Sequence, residues 1–389
     1  MKIDRGLARS LQTGDPTPPS PPNRRRRAAA LILVAFVLMA AFLVAAPSLS
    51  AALRRAYSTL SGQSTGGIPT SGFSTGTSTG SCSSAVTIQP LSNPDILNGS
   101  AVVAYPSDYC TLAGFALKQI NNDRAANGTG PVALSFNRAA QQHADSMLYY
   151  SYFSHFDTQG YKPYMRYTLL GGRGADFENV AYSSYAVGLL GRTAAIEDAI
   201  SSLEHLMVYN DAVCCNNGHR YNILNPLHNY VSIGVAYNST YVFFDEEFQN
   251  EYLNLNLSVA APSSPSPYHV TMQGAPIPGT PTPTAIYVAF DGTPTPETRA
   301  QLDSGPHEYG PGTLLGGVLP PAGPFGGCNQ FTTGITVCAS RWAFNASAIY
   351  ISFSLDEFVK DYGPGVYTIY LVTGPSTDTA LTTLSVFAS

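Results

Sequence analysis

The sequence predicts an α+β protein with a helix-rich first region and a strand-rich second region. Three observations lead to this class: apolar residues at helical spacing between residues 110 and 209, a β-hairpin pattern at 231–244, and a series of short strands after residue 284. Helices followed by an antiparallel hairpin favour a layered α+β fold over a doubly wound parallel sheet.

Apolar periodicity predicts three helices and a hairpin in the first region. In each helix the apolar residues recur every three or four positions, which puts them on one face. The hairpin segments are rich in β-branched and aromatic residues and are joined by a short polar turn. The predicted helices run from Leu112 to the turn at Asn127, from a start after Ser135, and from Thr193 to Tyr209, and the predicted hairpin strands are Val231–Tyr237 and Tyr241–Phe244.

Beyond Thr284 the pattern changes to short strands separated by Gly and Pro turns, which is typical of a β-sandwich. No catalytic motif stands out in this region. It is therefore interpreted as an accessory β domain for presentation or adhesion. The predicted strands are Ala285–Phe290, Ala348–Ser354, Gly365–Val372 and Ala380–Phe387.

The N-terminal region carries an uninterrupted apolar run. Ala28 to Ala46 are all small or apolar, and the run can extend through Leu53. At ~1.5 Å per residue such a helix reaches close to the ~30 Å of a bilayer core. Seven basic residues precede the run and two arginines follow it closely, which predicts a single-pass anchor in the cell membrane with a cytoplasmic N-terminus and an extracellular remainder. Secretion after signal cleavage is the alternative, because small residues near Ala46 suit a peptidase.

The whole chain has 389 residues, which are enough for two or three domains, and composition divides it into segments. A Ser-, Thr- and Gly-rich segment has too little apolar surface to fold, and a Pro- and Ser-rich segment favours an extended linker. The predicted order is a cytoplasmic tail at 1–27, a transmembrane signal anchor at 28–53, a stalk at 54–84, a lead-in segment at 85–109, a folded domain at 110–257, a linker at 258–284 and a β-sandwich-like domain at 285–389.

The charge distribution argues against a nucleic-acid partner. The segment up to Arg27 holds seven basic and two acidic residues, so the rest carries 13 basic and 23 acidic residues, a net charge of −10. A surface of that sign repels phosphate backbones. The predicted partners are therefore the membrane, through the N-terminal helix, and molecules outside the cell.

The cysteines and the glycosylation signals also indicate an external domain. An even number of cysteines follows the apolar run, which favours disulfides. Cys328 and Cys338 flank a short stretch that could form a hairpin, and Cys82 with Cys110 could join the start of the folded region, although sequence alone leaves the pairings open. Five Asn-x-Ser/Thr signals consistent with a glycoprotein begin at Asn98, Asn127, Asn238, Asn256 and Asn345.

Cys214 and Cys215 are adjacent, and this is an unusual arrangement. A disulfide between neighbours needs a strained backbone, far from ordinary disulfide geometry. A zinc site that combines the two cysteines with His219 and His228 is the alternative.

Four segments of the first region together resemble the CAP superfamily, which comprises the cysteine-rich secretory, antigen 5 and pathogenesis-related 1 proteins and their SCP-like extracellular domains, in its prokaryotic form. The resemblance covers roughly Cys110 to Leu257. Each segment is weak alone, but the four in this order and spacing form a specific signal. They are Ile120-Asn-Asn-Asp-Arg124 with Gly128, His143-Ala-Asp145 leading to Tyr152-Phe-Ser-His155, Glu178-Asn-Val-Ala181, and Gly218-His-Arg-Tyr-Asn-Ile-Leu224 with Ile233-Gly-Val235.

The resemblance implies a three-layer α-β-α sandwich with an open cleft lined by two histidines and two acidic residues. His155 and His219 match the cleft histidines of the family, and Glu178 matches the glutamate of its Gly-Glu-Asn segment, although Phe177 replaces that glycine. The second acidic residue lies on the helix before the Gly-His segment, where the chain offers Glu197, Asp198 and Glu204. Glu204 is preferred because it lies nearest to the end of that helix.

The candidate cleft residues suit a metal ion. Two neutral imidazoles and a carboxylate form a workable ligand set for zinc or another divalent cation, with water in the open position. His155, His219, Glu178 and Glu204 are therefore the predicted metal ligands. A hydrogen-bonded network that only braces the cleft is an equally weighted alternative. His143 lies on the apolar stripe of the second helix and is interpreted as a core histidine.

Three functions follow from these residues. The favoured one is a non-enzymatic binding module, whose cleft holds a divalent metal and a cell-surface lipid, glycan, or protein or peptide ligand. The second is a metal-assisted or His/Glu hydrolase of envelope polymers or proteins, with Glu178 and His219 as candidate catalytic residues. The third is a structural envelope or adhesion protein. The chain has no Gly-x-Ser-x-Gly motif, and its cysteines suit pairing, so nucleophilic catalysis has little support.

Overall fold

The computed structural model describes residues 2–3, 108–135, 137–185, 193–259, 268–306, 308–323, 327–331 and 333–389. All of them belong to one compact unit. The predicted anchor at 28–53, the stalk at 54–84 and almost all of the tail and lead-in segment lie outside the described residues. Within the described residues, no helix is both long enough and apolar enough to cross a membrane.

The first sheet forms the centre of the N-terminal half. Its strand order is β1-β3-β5-β4-β2, in which β5 pairs antiparallel with both β3 and β4, and the two short edge strands pair in parallel. The strands are β1 Lys2–Ile3, β2 Ala133–Leu134, β3 Ala175–Ser184, β4 Tyr230–Tyr237 and β5 Tyr241–Asn250. The predicted hairpin at 231–244 is confirmed, and Asn238 closes it by accepting the N–H groups of Thr240 and Tyr241.

Helices cover both faces of this sheet. On one face, the α2 backbone at Ala140 lies so close to Gly234 that a Cβ at that position would overlap with it. On the other face, α1 packs against α4, whose Glu204 contacts Glu246 of β5. The helices are α1 Tyr109–Ala126, α2 Ala139–Tyr150, α3 Pro163–Leu169, α4 Thr193–Tyr209, α5 Ala212–Cys215 and α6 Gly218–Leu224. The three predicted helices correspond to α1, α2 and α4.

Two further sheets form the C-terminal half. Their orders are β10-β9-β8-β13-β14 and β11-β12-β7-β6. Side chains of both sheets, among them Met272, Phe353 and Ile369, share one buried apolar cluster, as expected for a β-sandwich. The elements are β6 Leu253–Val259, β7 His269–Pro276, β8 Ala285–Asp291, α7 Arg299–Ser304, β9 Thr313–Leu319, β10 Ile335–Cys338, β11 Arg341–Phe344, β12 Ile349–Ser354, α8 Asp356–Tyr362, β13 Gly365–Val372 and β14 Ala380–Ala388, with a 3₁₀ turn at Thr377–Thr379.

The predicted linker at 258–284 is wrong. β7 lies inside that range and pairs with β6 and β12, so the C-terminal sandwich begins at Leu253. Val270 and Met272 alternate along β7 and point into the core. The Pro and Ser content of the whole range hid this strand, because no proline occurs within β7 before its last residue, Pro276.

The two halves of the described chain are packed against each other. Ala175 of β3 belongs to the same buried cluster as Ala285 and Tyr370 of the C-terminal half. The Asn250 amide donates to the Ala380 carbonyl, and Lys162 forms an ion pair with Asp291. The accessory region is therefore joined to the first sheet by a shared apolar core and by polar contacts.

Disulfide bonds join Cys214 to Cys215 and Cys328 to Cys338, and Cys110 is disulfide-bonded as well. In the described part of the stretch between Cys328 and Cys338, the possible hairpin is not seen; β10, which ends at Cys338, pairs in parallel with β9. The asparagines of the four glycosylation signals that fall on described residues are all exposed, and Asn98 lies outside them.

Candidate functional site

A cleft opens along the first sheet where β3 meets α6 and the C-terminal half. It consists of two adjoining cavities of about 390 and 780 Å³. His155, His219 and Cys215 line both cavities. The structure thus brings the two predicted cleft histidines to one opening, although 64 residues separate them in the sequence.

His155 is held by a buried charge network. Its Nδ1 lies 2.8 Å from Oε1 of Glu178, and the other oxygen of that carboxylate accepts from Nη2 of Arg166. Nη1 of Arg166 donates in turn to the backbone carbonyl of His155 at 2.8 Å. Arg166 therefore fixes both the carboxylate and the loop that carries the histidine. The arginine comes from α3, which begins with Pro163 at a position where proline is favoured.

The charges in this network determine the protonation of its members. Burial alone would raise the pKa of Glu178, but the Arg166 guanidinium and the nearby histidines lower it to about 2. Burial lowers the pKa of His155, although the hydrogen bond to Glu178 partly opposes this effect. An ionised Glu178 beside a neutral His155 is the expected state near neutral pH.

Tyr309 of the C-terminal half completes this side of the cleft. Its hydroxyl accepts a 2.6 Å hydrogen bond from the backbone N–H of Glu178. The Tyr309 ring lies 4.8 Å from the ring of His155 and 6.3 Å from that of Tyr164. Among the described strands, β1 pairs with β3 only at Tyr182 and Ser183, so no described strand bonds Glu178 on this edge. Tyr309 satisfies that edge donor.

His219 is held by a second carboxylate. Its Nδ1 lies 2.6 Å from Oδ1 of Asp211, and Oδ2 of Asp211 accepts from the backbone N–H of Arg220 at 3.1 Å. Asn179, adjacent to Glu178 on β3, donates its side-chain amide to the His219 carbonyl at 3.2 Å. These contacts place the start of α6 against β3.

The two histidines share one arrangement. Each ring meets a buried carboxylate through Nδ1, and each side chain is 9% exposed. A carboxylate at Nδ1 favours the tautomer that carries its proton there, which leaves a lone pair on Nε2. Metal-binding histidines in proteins are oriented by such carboxylates.

Glu204 does not line the cleft. It is buried against Glu246, and burial together with that neighbour raises the pKa of Glu204 well above its ordinary value. Asp211 instead occupies the position beside His219. The predicted candidates all lay within the helix. The helix α4 ends at Tyr209, however, and Asp211, whose carboxylate contacts His219, lies in the turn that follows.

The other histidines of the first region lie in the core. His143 binds the Ser154 carbonyl through Nε2 at 2.8 Å, and burial lowers its pKa to about 3. His228 binds Oδ1 of Asn250 through Nδ1 and contacts the rings of Phe177 and Phe248. The predicted alternative, a zinc site of Cys214, Cys215, His219 and His228, is therefore not assembled.

Arg166, Asp211 and Tyr309 were missed by the sequence interpretation. Arg166 had one signal, since it is a charged residue inside an otherwise apolar and aromatic helix, Pro-Tyr-Met-Arg-Tyr-Thr-Leu. Asp211 had only its position between a helix and the cysteine pair. Tyr309 had none, because its contact with Glu178 joins residues 131 positions apart.

Comparison with known proteins gives only distant structural likenesses. No family model and no curated protein matches the chain. An extracellular protein containing an SCP domain from Bacillus anthracis strain Ames is similar in structure, with 19% sequence identity and a TM-score of 0.28. The match covers 36% of this chain and 41% of the Bacillus chain. At that level it establishes neither family nor function.

Proposed function

We propose that the protein is an extracellular CAP-type binding protein, a three-layer α-β-α sandwich joined to a β-sandwich, whose cleft holds a divalent metal ion between His155 and His219. Zinc is the preferred ion because it favours imidazole nitrogen at this kind of site. One observation carries the proposal. Two imidazoles line one opening, and each is anchored through Nδ1 to a buried carboxylate.

The carboxylates orient the ligands in this proposal. Both oxygens of Glu178 are engaged, one by His155 and one by Arg166, so Glu178 holds the imidazole and adds a nearby negative charge. Asp211 does the same for His219. Among the four metal ligands predicted from the sequence, the two histidines keep that role, Glu178 becomes an orienting residue, and Glu204 has none. The remaining coordination positions belong to water or to a ligand oxygen.

The cleft wall supports a polar ligand. The rings of Tyr164, Tyr309 and Tyr370 lie along it, together with the polar side chains of Asn222 and Asp378. Aromatic faces interleaved with hydrogen-bonding groups suit a glycan or a peptide better than a lipid chain. A cell-surface glycan or protein segment, with an oxygen bound to the metal, is the proposed partner.

Hydrolysis is the weaker function for this geometry. A general acid or base needs an accessible carboxyl group with a pKa near the working pH. Arg166 lowers the pKa of Glu178 to about 2, and its two oxygens are already engaged. A metal-activated water beside His219 would be the remaining route, and no observation favours it over binding.

Localisation at the outer face of the cell membrane rests on the N-terminal apolar run. Disulfide bonds in the described residues are consistent with an oxidising compartment. Anchorage through residues 28–53, and secretion as its alternative, both remain predictions from the sequence.

Zinc titration of the full-length oxidised protein in detergent, followed by calorimetry, tests the proposal. We expect one zinc ion per chain, and we expect His155→Gln and His219→Gln each to weaken its binding by at least about tenfold. His205→Gln is the matched control, because His205 is an exposed histidine of α4 that does not line the cleft. Equal zinc affinity in the unchanged protein and both cleft variants would overturn the proposal.

A further inference from the structure

The adjacent cysteines lie at the mouth of the cleft beside the His219 carboxylate pair. Cys214 is exposed and Cys215 is half-buried, whereas Asp211 and His219 are both buried. The two sulfur atoms form a disulfide. Neither sulfur takes part in the proposed metal site of His155 and His219.

We propose that reduction of the Cys214–Cys215 disulfide creates a second metal site, a thiolate site for zinc or a similar thiophilic cation, formed by Asp211, Cys214, Cys215 and His219. Each of the four residues offers one ligand atom, and these four atoms all lie within 4.8 Å of one another. Sγ of Cys214 already lies 3.6 Å from Oδ1 of Asp211. Formation of a four-ligand shell requires the two sulfurs to separate after reduction and the Asp211 and His219 side chains, now 2.6 Å apart, to turn toward the metal.

The ligand set has the chemistry of a closed tetrahedral zinc site. Two thiolates, one imidazole and one carboxylate are all ordinary zinc ligands, and four protein ligands are the number that structural sites use. The sulfur atoms of a disulfide are poor ligands, because the thiolate is the form that binds metal. The four-ligand site therefore cannot bind metal while the disulfide is intact.

The backbone explains how these residues meet. Cys214 and Cys215 end the short helix α5, and the next two residues, Asn216 and Asn217, have φ angles of 49° and 64°. Two successive left-handed residues turn the chain back, so that His219 at the start of α6 faces the cysteine pair. Non-glycine residues adopt this conformation at some cost, which is typical of functional loops.

The electron balance is simple. A dithiol reductant supplies two electrons and two protons to the S–S bond, which breaks to give two thiols, and the reductant leaves as its own disulfide. Metal binding then displaces the two thiol protons into solvent. The exposure of Cys214 gives the reductant access to the disulfide.

The second site shares His219 with the proposed two-histidine site but does not need His155. The two proposals can therefore fail separately. If the oxidised protein does not bind zinc, only the proposed site of His155 and His219 is contradicted. If the reduced protein shows no thiolate ligation, only the proposed cysteine site is contradicted.

Cobalt(II) absorption on the full-length protein in detergent tests this inference. The protein is reduced with a dithiol, desalted under argon and titrated with cobalt(II) alone. We expect the reduced protein to show thiolate-to-cobalt charge-transfer absorption with one cobalt per chain, and the oxidised protein to show none. Cys215→Ser and Asp211→Asn should each weaken this cobalt binding by at least about tenfold.

Two controls isolate the site. His155→Gln should keep the charge-transfer band, which separates this site from the two-histidine site. The double variant Cys328→Ser/Cys338→Ser removes the other described reducible pair and should keep the band as well. A band that persists unchanged in Cys214→Ser/Cys215→Ser, or no thiolate band in the reduced protein, would overturn the inference.

Discussion

The two sides of the cleft present the same histidine–carboxylate pair in different surroundings. His155 and Glu178 lie between β3, α3 and Tyr309 of the C-terminal half, and the guanidinium of Arg166 balances the carboxylate charge inside the protein. His219 and Asp211 lie at a surface turn next to the exposed Cys214, and the backbone N–H of Arg220 supports the carboxylate. One side is part of the core, whereas the other belongs to a short loop.

Because of this difference, the two sides should contribute unequally to the stability of the fold. Removing one partner of a buried ion pair leaves the other charge without compensation, so the His155 side should contribute strongly to folding. The His219 side depends on a local turn, in which Asn216 and Asn217 have left-handed φ angles. In the proposed metal site, His155 is therefore the fixed ligand and His219 is the ligand next to the redox-active cysteine pair.

The largest difference between the two sides should follow from their arginines. Arg166→Met leaves the buried Glu178 carboxylate with His155 but without its cation, and we expect the free energy of unfolding to fall by about 3–5 kcal/mol. Arg220→Met is the matched change on the other side, where the side chain donates to the Val208 carbonyl and to exposed Asn127. Its expected loss is about 1 kcal/mol. Urea unfolding of both variants measures the comparison, and equal losses would contradict it.

The sequence predicted three of the described helices and six of the described strands, and the reason for each success or failure differs from residue to residue. Helices α1, α2 and α4 and strand β13 follow from local periodicity, which a single segment carries. His155, Glu178 and His219 follow from motif resemblance. Asp211 and Tyr309 do not, because their roles depend on how a turn packs after α4 and how a distant loop meets an edge strand. Strand β7 was missed because composition was averaged over its proline-rich neighbours.

The two sides should also respond oppositely to pH. Glu178 has a pKa of about 2, below its ordinary value, so its contribution to stability is present above about pH 4.5 and is lost as pH falls toward 2. On the His219 side, Asn179 donates both to the His219 carbonyl and to Glu246, and Glu246 pairs with Glu204. Burial raises the pKa of Glu246 to about 7, so its contribution is fully present below about pH 4.5 and is lost as pH rises through 7.

Glu246→Gln tests the alkaline half of this contrast. Because the amide cannot ionise, we expect the variant to lose part of the fall in stability between pH 5 and 8, by up to roughly 3 kcal/mol. Asp145 has a pKa raised by burial to about 7 and contributes a fall of the same sign, so the measured quantity is the difference between variant and unchanged protein across that range. Parallel stability curves for the two proteins would rule out a role for Glu246.

The smallest expected effect concerns the contact that brings the C-terminal half into the cleft. Tyr309→Phe keeps the ring beside His155 but removes the hydroxyl that accepts the N–H of Glu178. An edge donor that has lost its partner costs about 1 kcal/mol when cleft water can partly replace it. Amide hydrogen exchange at Glu178 should accelerate in this variant and stay unchanged in Tyr221→Phe, which alters an exposed tyrosine on the His219 side. The Glu178 amide lies at the edge of β3. If it exchanges faster while the Asn179 amide does not change, the Tyr309 hydroxyl supports only the His155 side of the cleft.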